Sequence, residues 1–254
     1  MKKAWILFLL LLPLMSLAQN TEGQILYEEK RNMHVDFSVD GENEEMMEQL
    51  KAMMPEFRIT KRMLTFTETS SIYKNHKGGD EPTELSHESE GMQIKMKFEE
   101  PENILFKDLD ENRSVQQQEF FTRKFLIKDD IENFKWKLTG ESKEVMGYSC
   151  QQATSGEGEE KIIAWFAPEI PVSGGPGKYG QLPGMILEVE AEEGKLIIYA
   201  TVIKFEEVDK KMMEEPKKGK VVSRDEFKKI QEEKMKEMQM EMGGSGGNRI
   251  IIRN

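Results

Sequence analysis

Apolar and polar residues alternate along most of this 254-residue chain, which is the spacing of strands whose side chains point to opposite faces in turn. The clearest case is residues 184–205, GMILEVEAEEGKLIIYATVIKF, which predict a hairpin that turns at residues 192–194. Residues 23–39 and 57–73 are each predicted as one strand. Between residues 92 and 167, short apolar segments are broken by Pro, Asn and Asp, which favours a meandering sheet over alternating strands and helices.

Two segments change to helical spacing. Residues 42–54, ENEEMMEQLKAMM, predict a short helix with a Met-rich apolar stripe that ends before a proline. Ser223 and Glu226 form a capping-box pattern, which predicts a second Met-rich helix over roughly residues 223–242. Residues 243–254 then predict a flexible Gly/Ser linker and tail, with an added edge strand as the alternative. The polar, turn-rich residues 74–91 predict a loop.

These elements together predict an α+β chain that is mainly β. We expect one large, curved antiparallel sheet, similar to an open half-barrel, packed with one or two helices. The composition is uniform along residues 19–242, so they are predicted to form a single domain.

The first 18 residues predict a secretory signal peptide. Lys2 and Lys3 precede an apolar run over residues 4–12, and the small residues Ser16 and Ala18 follow it. The run is too short to span a bilayer, and no later segment has membrane length. The protein is therefore expected to be exported, with a periplasmic location favoured and an outer-membrane-associated or extracellular location as the alternative.

Charge and cysteine content exclude some functions. The formal net charge is -11 and the two signs are interspersed, so no basic stripe is present to bind nucleic acid. Cys150 is the only cysteine, so no intramolecular disulfide can form. Cys150 is interpreted as a buried structural residue, and Trp165 on a neighbouring strand segment as structural too.

The Gly- and Pro-rich segment GGPGKYGQLPG, residues 174–184, raises the question of phosphate binding. A phosphate-binding glycine loop must be followed by a helix, whereas the residues after Gly184 alternate like a strand. The segment is therefore predicted to be a stiff latch onto the sheet. Its candidate binding residues, should it also form a recognition surface, are Tyr179, Leu182, Pro183, Gly184 and Met185.

No catalytic or metal-binding residue is assigned. The three histidines, His34, His76 and His87, lack the spacing and partners of a zinc site. The clustered methionines of the second helix are interpreted as an apolar face, because Met238 and Met240 lie about 200° apart around a helix and cannot share a copper ion. No cofactor is expected.

Four motifs within residues 147–186 resemble the GLPGLI family of exported bacterial proteins. They are Gly147-Tyr148-x-Cys150, Ala164-Trp165-Phe166, Pro168-Glu169-Ile170-Pro171 and the hexapeptide Gln181-Leu182-Pro183-Gly184-Met185-Ile186. The resemblance implies an exported protein with a β-rich fold, and it transfers no catalytic residue. Gln181 replaces the first glycine of the hexapeptide, so we expect that this position does not need a positive φ.

The leading functional hypothesis is a non-enzymatic cell-envelope protein that binds a hydrophobic small molecule or an envelope protein. Its basis is the absence of a catalytic motif together with Met-rich faces suited to a pliable apolar ligand. One alternative is a periplasmic hydrolase that pairs acidic residues with His34, His76 or His87. A second alternative is a purely structural accessory of an outer-membrane complex. The oligomeric state is left open.

Overall fold

The structure is a computed structural model. It describes residues 21–32, 36–39, 56–76, 83–89, 92–98, 100–243 and 250–253. The expected signal peptide, the expected Met-rich helix of residues 42–54 and the side chain of His34 lie outside these ranges.

One open sheet of twelve strands dominates the described chain. All strands of the structure are β1 (Gly23–Asn32), β2 (Asp36–Val39), β3 (Phe57–Phe66), β4 (Ser70–Asn75), β5 (Thr83–Ser89), β6 (Met92–Phe98), β7 (Asn103–Asp108), β8 (Arg113–Phe120), β9 (Arg123–Asp130), β10 (Lys137–Val145), β11 (Tyr148–Ser155), β12 (Ile162–Ala167), β13 (Met185–Ala191), β14 (Leu196–Lys204), β15 (Lys220–Val222) and β16 (Ile250–Arg253). The order in the large sheet is β10-β11-β12-β13-β14-β1-β3-β4-β7-β8-β9-β15. Neighbouring strands are antiparallel except β9 and β15, which run parallel.

The predicted fold class, mainly β with one large antiparallel sheet and a packed helix, is confirmed. One α-helix, α1 (Arg224–Gly243), and three short 3-10 helices (Gly158–Glu160, Glu192–Gly194 and Lys210–Met213) are present among the described residues. The predicted capping box of α1 is confirmed as well, because Ser223 Oγ accepts from the Glu226 N–H at 3.2 Å and Glu226 accepts from the Ser223 N–H at 2.8 Å. Within the described part of the chain, no helix is long and apolar enough to span a membrane.

Three strand boundaries differ from the sequence expectation. Residues 23–39 hold two strands, β1 and β2, which belong to different sheets. Residues 57–73 hold the hairpin β3–β4, whose turn contains no Gly or Pro; the Thr67 hydroxyl oxygen instead accepts from the Ser70 N–H at 3.1 Å. The expected loop at residues 74–91 contains β5, which pairs with β6 despite its polar sequence.

The C-terminal segment also differs from the flexible tail that we expected. Residues 250–253 form β16, which pairs antiparallel with β2, so the edge-strand alternative describes this segment. Three consecutive β-branched isoleucines, Ile250 to Ile252, favour an extended conformation that can pair with an open strand. Residues 244–249 lie outside the described ranges.

The main core lies on one face of the central strands. Its largest completely buried side chains are Tyr27, Phe66, Phe166, Ile25, Leu64, Ile170, Met185, Ile186 and Leu187. A smaller core lies at the β9–β15 end of the sheet, where Phe227 of α1 packs on Phe125 with ring centroids 5.1 Å apart. The helix is thus fixed against the opposite end of the sheet from β10.

Candidate functional site

The segment between β12 and β13, residues 168–184, covers the apolar centre of the sheet; we call it the latch loop. Its side chains Ile170, Val172, Tyr179 and Leu182 are buried in the main core. The loop is also held by its backbone, since the Met185 N–H donates to Ile170 O at 2.9 Å and the Ile186 N–H donates to Gly174 O at 3.1 Å. The apolar part of this face is therefore filled by the protein's own side chains.

Gly184 sits where two backbone segments nearly touch. A Cβ at this position would lie 2.3 Å from Ala167 O and 2.9 Å from the Cα of Pro168. These atoms belong to the backbone and cannot move aside as a flexible side chain could. Only glycine fits at this point, which agrees with the architectural role expected for the motif.

Four of the five candidate binding residues are enclosed. Tyr179, Leu182, Gly184 and Met185 are buried, whereas Pro183 is exposed. The buried four are part of the packing, and Tyr179 also lines a second groove of about 420 Å³. Recognition at this motif remains a prediction.

Gln181 corrects the expectation about the first position of the hexapeptide. Its φ is 67°, in the left-handed region that disfavours residues with a Cβ. The position therefore does require a positive φ. Its N–H donates to Ser173 O at 2.9 Å, and its side-chain Oε1 accepts from the Phe134 N–H at 3.3 Å. These hydrogen bonds offset part of the cost of the strained conformation.

Lys107 on β7 ties the latch loop to the sheet, and sequence analysis did not identify it. Its side chain is buried, and Nζ donates to Tyr179 O at 2.8 Å and to Gly175 O at 3.4 Å. Burial lowers the pKa of this ammonium to about 7. A lysine in the alternating segment NILFKDL gives no sign in the sequence that its partners lie about 70 residues away.

Beside the latch loop, a groove of about 490 Å³ opens on the same face of the sheet; we call it the polar groove. Its floor comes from β1, β3, β4, β7, β8 and β9, and its walls come from α1 and from Gly177 and Lys178 of the latch loop. The sheet register explains the floor, because Asn103 faces Gln118, Leu105 faces Gln116 and Lys107 faces Ser114 across β7 and β8. Residues directly opposite in an antiparallel pair lie on the same face.

Three half-buried amides form a ladder on this floor: Asn103, Gln116 and Gln118. The Gln116 amide donates to Asn103 Oδ1 at 2.9 Å and lies 3.4 Å from Gln118 Oε1. A side-chain amide has two donors and one acceptor oxygen. The side-chain NH2 groups of Asn103 and Gln118 and the Oε1 atom of Gln116 take no part in these two hydrogen bonds. They can therefore form hydrogen bonds with a ligand.

A buried polar cluster borders the ladder at Tyr73, Glu29 and Arg62. The Tyr73 hydroxyl donates to Glu29 Oε1 at 2.7 Å, and Arg62 Nε lies 3.8 Å from Glu29 Oε2. Burial, reinforced by the Glu29 carboxylate, raises the pKa of Tyr73 well above its usual value. Arg62 also pairs with Glu100. The tyrosine ring, the carboxylate and the guanidinium are therefore fixed in place at the groove.

The remaining candidates lie away from the polar groove. Cys150 is completely buried in the main core, and burial raises the pKa of its thiol to about 11, so an unreactive structural role is supported. Trp165 is half-buried, with Lys143 Nζ 4.4 Å above its ring.

His76 follows β4 and does not line the groove. The hydrolase hypothesis stays a prediction for all three histidines; the side chains of His34 and His87 lie outside the described residues.

Within the described ranges, no group of three or more His, Cys, Asp or Glu side chains is placed to hold a metal ion. What the groove offers instead is a set of fixed hydrogen-bond donors and acceptors with an aromatic ring at its side. Such a surface can bind a polar molecule.

Comparisons with known proteins point to one family. Residues 83–237 match the family model described as "N-glycanase peptide, N-terminal domain", which corresponds to PNGase F-II. The matched range contains the latch loop, the amide ladder and the groove-facing part of α1. None of the curated proteins compared with the chain matches it. The resemblance to the GLPGLI family is not addressed by these comparisons and stays a prediction.

Solved structures agree at the level of fold. The structure of PNGF-II in the C2 space group is similar with a TM-score of 0.52 and 16% sequence identity, over 83% of this chain and 32% of that chain. The structure of PNGF-II in the P21 space group gives a TM-score of 0.50 and 16% identity, over 80% of this chain and 32% of that chain. The chain thus spans about a third of the length of the solved structures that it matches.

Proposed function

The chain belongs to the family of N-glycanase N-terminal domains, and from this premise we propose that it is a non-catalytic module that binds glycans at the polar groove. The amide ladder of Asn103, Gln116 and Gln118 is the observation that carries the proposal. Sugar hydroxyls both donate and accept hydrogen bonds, and side-chain amides offer both functions within one group.

The ladder is suited to binding because it is held in place before a ligand arrives. Gln116 is fixed by its hydrogen bond to Asn103, and the backbone N–H of Asn103 donates to Asn75 Oδ1 at 2.9 Å. Fixed side chains lose less conformational entropy on binding than mobile ones. The groove volume of about 490 Å³ lies within the range of about 300–1,000 Å³ that is typical of ligand sites.

The sequence predicted a hydrophobic ligand, whereas the groove favours a polar one. The latch loop fills the apolar part of the concave face, so the accessible part is the one lined by amides and charges. An accessory role beside an envelope protein remains part of the proposal, as does export, which is supported by the N-terminal sequence. The GLPGLI resemblance supports the same location.

A glycan array with the purified protein tests the proposal. We expect the wild type to bind a subset of glycans, and we expect the paired substitution Asn103→Ala and Gln116→Ala to abolish that binding with little change in melting temperature. Gln151→Ala is a matched control, because Gln151 is an exposed amide on β11 outside the groove. Absence of wild-type binding to any glycan, or equal binding by the ladder variant, would refute the function.

A further inference from the structure

Charged side chains are unevenly distributed around the polar groove. Its lining includes five basic residues and two acidic ones, in a chain whose formal net charge is -11. The basic residues are Arg62, Lys107, Lys178, Arg224 and Lys228, and the acidic ones are Glu29 and Glu132. The groove is thus locally basic on an acidic protein.

The two acidic residues of the groove are already engaged. Glu29 accepts from Tyr73 at 2.7 Å and lies near Arg62, while Glu132 pairs with Lys178 at 3.3 Å. Neither carboxylate forms an ion pair with Arg224 or Lys228 of α1. Lys107 Nζ already donates hydrogen bonds to carbonyl oxygens of the latch loop.

Of the remaining basic residues in the lining, those with the weakest ion pairing lie on α1. Arg224 and Lys228 are four residues apart, which places them on the same face of the helix, and both line the groove. Arg224 has one weak pairing, with its Nε 3.9 Å from Asp129 Oδ2. Lys228 is exposed and forms no hydrogen bond or ion pair with another described residue. Three backbone N–H groups at the start of α1, those of Ser223, Arg224 and Glu226, donate to the side chains of Glu226, Asp129 and Ser223.

We propose that the groove selects acidic glycans, with an anionic sugar substituent against Arg224 and Lys228 and neutral hydroxyls against the amide ladder. This presupposes the glycan-binding function proposed above. Charge-assisted hydrogen bonds to a carboxylate or a sulfate are stronger than those between neutral groups. A carboxylate on a sialic acid and a sulfate ester offer the same anionic chemistry to these two side chains.

The test uses one biantennary N-glycan in three forms: neutral without sialic acid, sialylated, and sulfated. Isothermal titration at low salt should show the sialylated or the sulfated form binding about tenfold more tightly than the neutral form, a difference of about 1.4 kcal/mol. The preference should weaken as salt is added, because exposed charges are screened. Which acidic form binds more tightly identifies the anionic group.

Three variants connect the preference to α1. Lys228→Gln and Arg224→Gln should each reduce the affinity for the acidic form severalfold more than the affinity for the neutral form. Lys229→Gln makes the same charge change on the same helix outside the groove lining and should have no effect. Equal binding of neutral and acidic forms by the wild type would overturn the acidic preference and leave the glycan-binding function standing. No binding of any form would refute the glycan-binding function itself.

Discussion

Replacement of Lys107 by methionine should change how the stability of the protein depends on pH. Burial lowers the pKa of Lys107 to about 7 in the folded protein, whereas the ordinary value is 10.5. Between these two values the unfolded chain binds more protons than the folded chain, so the free energy of unfolding must rise with pH. This difference is about half a proton at pH 7 and approaches one proton by pH 9, and the expected gain in stability over the range is about 2 kcal/mol.

Lys107→Met retains an unbranched side chain but has no ionisable group, so this contribution disappears. Denaturant unfolding at pH 7, 8 and 9 should show that the stability of the wild type increases relative to that of the variant by about 2 kcal/mol over the range. Tryptophan fluorescence is a suitable probe, because the Trp136 indole donates to Gly180 O of the latch loop at 2.9 Å. The exposed Lys137→Met should follow the wild type at each pH. Parallel pH profiles for wild type and Lys107→Met would refute the assignment of a buried, pKa-shifted lysine.

Two further substitutions test the latch loop. Gly184→Val should destabilise the fold by about 3 kcal/mol or more, because its Cβ would collide with the backbone at Ala167, and a variant with an unchanged melting temperature would show that this contact is not rigid. Gln181→Gly should be more stable than Gln181→Ala by about 1 kcal/mol, because both remove the contact to Phe134 but only glycine relieves the left-handed conformation. Equal chemical denaturation midpoints for these two variants would contradict that assignment.

Local signals in the sequence predicted the elements that depend on neighbouring residues. The hairpin of β13 and β14 and the capping box at Ser223 are set by short-range spacing, and both are present. The sequence did not predict the turn at Thr67, because this turn contains no Gly or Pro. It is stabilised instead by a side-chain hydroxyl oxygen that accepts a backbone hydrogen bond.

The site depends on pairings that no local pattern contains. Strand β1 lies between β14 and β3, and β4 pairs with β7 rather than with β5. Asn103 and Gln116 become neighbours only through the register of β7 with β8, and Lys107 meets Tyr179 only when the latch loop folds back over the sheet. In the sequence, the ladder amides cannot be distinguished from ordinary surface residues. The alternation of apolar and polar residues does not show which face of a sheet will be covered.

The latch loop and the polar groove form a single structural unit. One row of opposed residues crosses the sheet from the main core into the groove, whose lining it joins at Tyr73: Ile25, Leu64, Tyr73, Leu105, Gln116 and Ile127. Midway along the loop, a Cβ at Gly177 would lie 3.8 Å from the Tyr73 ring, and Gly177 and Lys178 form a wall of the groove. Lys107 fixes this wall to the same strand that carries Asn103. A change that loosens the latch loop should therefore weaken ligand binding even though no residue of the amide ladder has been altered.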